Sequence, residues 1–147
     1  MMDWLNDFFG SYYFLTFFIA WLSTCIMKAT LRSHSEKRKF SLILGFQNGG
    51  MPSSHSATVT SITVAMGLTT GFSAIFFVSL VLSLIIISDA FGVRQNIGQQ
   101  GEAINQILIR LKKNPVKVVY GHSFFQVLIG TAWGAAVALI FYYLYFF

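Results

Sequence analysis

Long apolar stretches alternate with polar connections along the chain, and this pattern predicts its secondary structure. A helix that crosses a bilayer needs roughly 20 mostly apolar residues, and four stretches approach that requirement. They lie at about 12–30, 53–70, 72–90 and 123–146. Two substantial connections remain, at about 31–52 and 91–122, because the second and third stretches are joined by a tight turn. The pattern therefore predicts an all-α polytopic membrane protein with four transmembrane helices in one membrane domain, residues 1–147.

The second connection contains a shorter periodic pattern. Apolar residues recur at helical spacing between Val93 and Leu111, and Asn, Gln and Arg residues fill the other face. Pro115 follows as a stop signal. The pattern predicts one amphipathic helix, which we expect to lie on the inner leaflet of the membrane.

The positive charges are distributed unevenly, and their distribution predicts the orientation. All 10 Lys and Arg residues fall in or beside the two long connections, which four spans place on the same side. The opposite side has none. The positive-inside rule then predicts a multi-pass protein of the cell membrane with both termini outside and the basic connections in the cytoplasm.

The composition excludes several other classes of protein. Hydrophobic residues make up 55% of the 147 positions and charged residues only 10%, against about 25% charged in an average soluble domain. An ordinary soluble domain and a disordered tail are therefore excluded, and the single cysteine, Cys25, excludes a disulfide scaffold. Because the net charge of +5 is placed at the membrane edge, we expect the bilayer and no nucleic acid as its partner.

Polar residues collect at four predicted span ends. Lys28 closes the first span, residues 49–56 open the second, residues 88–94 close the third, and residues 121–123 open the fourth. The predicted topology places all four clusters on the cytoplasmic side. Polar groups at membrane depth are costly and usually functional, so we expect the clusters to converge on one site.

The residue types in these clusters suit an oxyanion ligand. Lys28 and Arg94 carry permanent positive charge, and Gly50 allows close approach of the backbone. Pro52 suits a first helical turn, whose free N–H groups, together with Ser53 and Ser54, would form an anion site.

Two histidines, His55 and His122, can transfer protons or attack phosphorus. No cluster of carboxylates is available for a metal. The set predicts phosphoryl transfer through a phosphohistidine, with no metal and no cofactor.

Several of these motifs resemble those of a known superfamily. The string Pro-Ser-Ser-His at 52–55 is similar to the Pro-Ser-Gly-His signature of the type 2 phosphatidic acid phosphatases and vanadium haloperoxidases. Residues 49–57 and 89–94, the pair Gln100 and Asn105, and Gly-His at 121–122 resemble a divergent, short branch of that superfamily. The order of lysine, signature, arginine and histidine at successive span ends is also the same.

The resemblance implies roles for the polar residues. His122 would be the nucleophile, and His55 the general acid that later activates water. Arg94 and Lys28 would bind the phosphate oxygens, with hydrogen bonds from the amides of Ser53 and Ser54. The other candidate substrate-binding residues are Gly50, Asp89, Gln100, Asn105 and Gln126.

Two features depart from the superfamily pattern. Its arginine stands six residues before the histidine nucleophile, whereas Arg94 and His122 are 28 apart. The superfamily usually has an acid four residues after that histidine, where this chain has Gln126. A glutamine oxygen can hold a histidine tautomer but cannot stabilise an imidazolium by charge. Asp89 or Glu102 could replace the acid, or activity could be low.

The leading hypothesis is a metal-independent phosphatase that hydrolyses a phosphomonoester or pyrophosphate of a membrane lipid. The alternatives are a lipid-phosphate-binding protein or scaffold that has lost turnover and a small transporter component. Gly130 and Gly134 form a Gly-x-x-x-Gly pair, which predicts close packing with a helix of the same subunit or a homodimer through this face.

Overall fold

The computed structural model describes residues 7–47 and 49–147. Six helices lie between Tyr12 and Phe146, and no strand occurs among the described residues. In chain order the helices are α1 (Tyr12–Ser35), α2 (Ile43–Phe46), α3 (Ser54–Thr70), α4 (Ala74–Phe91), α5 (Val93–Arg110) and α6 (Phe124–Phe146). The predicted all-α class is confirmed.

Helix α3 is the element around which the other long helices pack, since it contacts α1, α4 and α6. Its buried residues are small or carry hydroxyl groups: Ser56, Ala57, Ser61, Thr63 and Ala65. Small side chains allow neighbouring helices to approach closely. The hydroxyls find partners inside the bundle, as in the 2.6 Å hydrogen bond between Thr63 Oγ1 and Ser83 Oγ of α4.

The two glycines of α6 make the closest of these approaches. A Cβ atom on Gly130 would collide with the carbonyl oxygen of Ser53, and one on Gly134 with that of Ala57. Both glycines are buried. The Gly-x-x-x-Gly pair thus packs against α3 of the same chain.

Of the four predicted spans, three are supported by helix length and composition in the described part of the chain. Among the described helices, three are long and apolar enough to cross a membrane: α1, the continuous stretch Ala74–Arg110, and α6. Helix α3 has only 17 residues. Because α3 is surrounded by three helices of its own chain, it can carry hydroxyl residues that a lipid-facing helix would not. By contrast, α4 exposes a row of apolar side chains, as expected of a surface that faces lipid: Val78, Val81, Leu82 and Ile85.

The amphipathic helix predicted between Val93 and Leu111 is present as α5. Only Gly92 separates it from α4. The segment 112–122 runs back along α5, and Asn105 fixes it by exchanging two hydrogen bonds with the backbone of Val116, of 2.8 and 2.7 Å. The close contact of Gly98 with Tyr120 leaves no space for a larger residue. The segment 112–122 thereby connects the end of α5 to the start of α6.

Aromatic residues connect the helices at the end of the bundle where α1 begins. The Tyr12 hydroxyl donates to the carbonyl oxygen of Ala138 over 3.0 Å, and Tyr13 Oη lies 2.7 Å from Thr69 Oγ1. The start of α1, the end of α3 and the end of α6 therefore meet there, so α1 runs antiparallel to both α3 and α6.

Candidate functional site

The four predicted polar clusters meet at one end of the bundle. The amide of His122 donates to the carbonyl oxygen of Ala90 over 2.9 Å, which joins the start of α6 to the end of α4. The amide of Ser53 donates to the carbonyl oxygen of Gln126 over 3.1 Å, which joins the start of α3 to α6. These backbone contacts bring polar residues from distant parts of the chain into one region.

His55 and His122 line two adjoining cavities. One, of about 200 Å³, is also lined by Arg94, Gly49 and Tyr120. The other, of about 370 Å³, has Lys28 and Ser54 at its polar end and apolar side chains along the rest: Phe17, Trp21, Val59 and Ile86. The two imidazoles thus line both a cavity that contains Arg94 and a cavity that combines Lys28 with apolar walls.

His122 is held in place on several sides. Its residue is only 5% exposed, and its Nδ1 lies 3.3 Å from Gln126 Oε1. Burial lowers the pKa of His122 below its ordinary value, and the positive charge of Lys28 lowers it further. Hydrogen bonds with Gln126 and the Gly50 backbone act in the opposite direction. The ring is therefore neutral near pH 7, the state in which a histidine can be a nucleophile.

Gln126 has two structural roles at this point. The hydroxyl oxygen of Ser123 accepts a hydrogen bond from the backbone N–H of Gln126. In return, the side-chain Oε1 of Gln126 accepts from the backbone N–H of Ser123 over 3.1 Å, which completes a capping box at the start of α6. The same Oε1 is the atom that faces the ring of His122. The amide oxygen therefore fixes both the helix start and the orientation of the imidazole.

Lys28 is the most unusual residue of the site. It is 2% exposed, and its Nζ lies 3.4 Å from Ser54 Oγ. No ion pair of Lys28 is found in the described part of the chain. Buried charges are normally paired because removal from water is costly. A buried ammonium group beside a cavity and a hydroxyl is a feature expected of an anion site.

Arg94 faces the smaller cavity from the start of α5. Its Nε donates to Asp89 Oδ2 over 2.6 Å, which orients the guanidinium group. This bond uses one of the five N–H donors of an arginine. Asp89 thus contacts Arg94 directly and orients its guanidinium group.

Ser53 does not face the site as expected, which corrects the sequence prediction. Helix α3 begins at Ser54, so Pro52 lies before the helix and not in its first turn. Ser53 is the N-cap: its side chain accepts from the amide of Ser56, and its own amide is bonded to Gln126. Because the residue is fully buried, it positions the helix start, and of the two serines only Ser54 lines a cavity at the site.

The pair Gln100 and Asn105 is not brought to the site either. Asn105 fixes the backbone of Val116, and Gln100 is exposed on α5 and lines none of the cavities described above. Sequence spacing placed both on a helix correctly, but it could not show which face meets the site.

The structure adds residues that the sequence analysis did not select. Arg32 follows Lys28 by one helical turn and lines a third cavity, together with Lys117. The four-residue spacing between the two cations was a usable signal, whereas nothing in the sequence linked Lys117 to them. The described residues include no group of three or more His, Cys, Asp or Glu side chains that could hold a metal ion.

Comparison with known proteins identifies the family of the chain. The model of the Divergent PAP2 family matches residues 9–137. The uncharacterized membrane protein YuiD of Bacillus subtilis (strain 168) is 32% identical over an alignment of 126 residues. The match covers 74% of this chain and 80% of that protein. No solved structure matches the chain significantly. The match extends over most of the helical bundle and includes all the residues of the site, so this chain belongs to the Divergent PAP2 family.

Proposed function

We propose that the protein is a membrane phosphatase that releases the terminal phosphate of a lipid through a phosphohistidine. The observation that carries the proposal is the pair of imidazoles, His55 and His122, between cavities that also present Arg94 and the buried Lys28. Divergent PAP2 family membership supports a phosphatase-related role. The apolar wall of the larger cavity suits the chain of a lipid substrate.

In the first step, the ring nitrogen of His122 that does not face Gln126 attacks phosphorus. The bond from phosphorus to the leaving oxygen breaks, and His55, in its protonated form, donates a proton to that oxygen. Lys28 and Arg94 stabilise the negative charge of the phosphoryl oxygens in the transition state.

In the second step, His55 takes a proton from a water molecule whose oxygen attacks phosphorus. The bond between phosphorus and nitrogen breaks, which restores neutral His122 and releases inorganic phosphate. The histidine protonation states at the end of the cycle are those at its start, so the reaction balances without a cofactor.

We also propose that α3 is the fourth helix to cross the membrane, and that the site faces the cytoplasm. Its central position between α1, α4 and α6 supports the crossing. The concentration of Lys and Arg at the site end of the bundle supports the orientation, by the positive-inside rule. The substrate would then be a lipid phosphate of the inner leaflet.

Replacing His122 tests the proposed nucleophile. Phosphate release from short-chain phosphatidic acid and farnesyl phosphate should fall at least about 10³-fold in His122→Ala, since the covalent step is lost. His34→Ala is the matched control, because His34 is exposed at the end of α1, and should retain full activity. Turnover that is unchanged in His122→Ala contradicts the mechanism. If the wild-type protein binds these lipids but does not hydrolyse them, the non-catalytic alternative holds instead.

The pH dependence follows from the lowered pKa of His122. Because the neutral ring is the nucleophile, the acid limb of the kcat/KM profile should lie below the ordinary histidine pKa of about 6.5, and the requirement for protonated His55 adds a separate basic limb. The charge of Lys28 is one cause of that lowering, so Lys28→Met should move the acid limb of the profile to higher pH as well as reduce the rate. An acid limb that stays in place in this variant contradicts the assignment.

Replacing Gln126 by glutamate tests whether the missing charge limits the rate. A carboxylate can accept the same two bonds as Oε1 and also stabilise an imidazolium. The reverse change costs about 10⁴ in a serine protease triad, so we expect turnover by Gln126→Glu to rise at least tenfold. Gln106→Glu places the same charge on the exposed surface of α5 and should leave turnover unchanged. A folded Gln126→Glu protein with no gain contradicts this role.

Cysteine labelling in intact cells tests the span count and orientation. Cys25 is buried, so the wild-type chain gives a low background. A membrane-impermeant thiol reagent should label Phe72→Cys, in the turn between α3 and α4, without permeabilisation. Lys113→Cys, after α5, should be labelled only after permeabilisation. Labelling of both positions from the same side contradicts a crossing by α4, and the reverse labelling pattern contradicts the proposed crossing by α3 with a cytoplasmic site.

A further inference from the structure

A third cavity, of about 630 Å³, lies beside the proposed reaction site. It shares Gly49, Tyr120 and Gly121 with the smaller histidine cavity. It shares Phe46 and Gln47 with the apolar one. A ligand held at His122 can therefore extend into it, and its volume is within the range of about 300–1,000 Å³ that is typical of ligand sites.

The charges of this cavity are all positive. Arg32 of α1 and Lys117 of the return segment line it, and none of its lining residues is Asp or Glu. Arg32 is positioned by hydrogen bonds to the carbonyl oxygen of Leu44, of 3.3 Å, and to Gln47 Oε1, of 2.9 Å. The two cations come from parts of the chain 85 positions apart, which is unlike a basic run along one exposed helix.

The backbone beside Arg32 is adapted to this arrangement. Gly49 and Gly50 have φ of 72° and 83°, a conformation that favours glycine. A Cβ atom on Gly50 would lie 2.9 Å from Arg32 Nε. The two glycines therefore let the guanidinium group lie directly against the loop that also contacts His122.

We propose that this cavity is an anion subsite for a second phosphate, carried by the leaving group of the substrate. The inference rests on the proposed function and names its substrate class: lipids with a terminal phosphate and a further phosphate closer to the lipid tail. The terminal phosphate is at His122, the inner phosphate is bound by Arg32 and Lys117, and the tail lies against Trp21 and Val59. When the terminal phosphorus–oxygen bond breaks, the leaving group is the inner phosphate: its bridging oxygen takes the proton from His55, and the two cations bind the negative charge that the inner phosphate already carries.

Paired substrates test this subsite. The purified protein is assayed with farnesyl diphosphate and farnesyl monophosphate, in the wild type, Lys117→Met and Lys113→Met. Lys113 is the control, since it is an exposed lysine of the same return segment outside the lining of the cavity. We expect kcat/KM for the diphosphate to exceed that for the monophosphate about tenfold or more. Lys117→Met should lower the diphosphate value about tenfold and change the monophosphate value less than twofold, while Lys113→Met changes neither.

Three results would overturn the subsite. These are an equal loss for both substrates in Lys117→Met, no diphosphate preference in the wild type, and an effect of Lys117→Met on product inhibition by inorganic phosphate alone. The last result would assign the cavity to free phosphate and not to the substrate.

A binding measurement separates failure of the subsite from failure of the proposed function. Methylenediphosphonate, which cannot be hydrolysed at its bridge, should raise the thermal unfolding temperature of the wild type more than that of Lys117→Met. An equal rise in both proteins overturns the subsite even if His122-dependent hydrolysis is observed. A larger rise in the wild type supports the subsite even if no lipid is hydrolysed.

Discussion

The close contact between α3 and α6 determines where the two histidines of the site lie. Gly130 and Gly134 allow the backbone of α6 to rest on Ser53 and Ala57, and the bond from Ser53 to Gln126 sets the register of the two helix starts. His55 follows the start of α3, and His122 precedes the start of α6. Because both helices begin at the same end and at the same level, the two imidazoles line the same cavities.

The site also depends on how the polar groups of the helix ends are satisfied. Ser53 and Ser123 use their hydroxyls as N-caps of α3 and α6, and Gln126 completes the second cap while it faces His122. A glutamine can meet both demands because its side-chain oxygen accepts more than one hydrogen bond. The residue that departs from the superfamily pattern is therefore still a structural support of the histidine, and what it lacks is negative charge.

Local and compositional features of the chain were predictable from sequence. The all-α class, the amphipathic helix at α5, and the identity of the family follow from periodicity and from motifs around His55, Arg94 and His122. These signals are carried by residues close together in the chain. Counting the predicted spans led to the expectation that the four polar clusters meet at one end of the bundle. In the structure, Lys28, Ser54 and His122 line one cavity at that end.

Features that depend on long-range packing were not predictable in the same way. The cap role of Ser53, the exposed position of Gln100 and the use of Gly134 within the chain are set by contacts between α3, α5 and α6. The short length of α3 and its hydroxyl-rich surface are tolerated because neighbouring helices surround it. The approach of Lys117 to Arg32 requires the return segment to run along α5, a path fixed by Asn105.

A structure of the protein bound to vanadate would show whether His122 and His55 act on one phosphoryl group, since vanadate resembles a phosphoryl group in transfer. We expect vanadium bonded to a ring nitrogen of His122, with its oxygens within hydrogen-bond distance of Arg94 and Lys28 and with His55 on the opposite side. Vanadate bound elsewhere, or the two histidines facing separate cavities, would contradict a shared phosphoryl site.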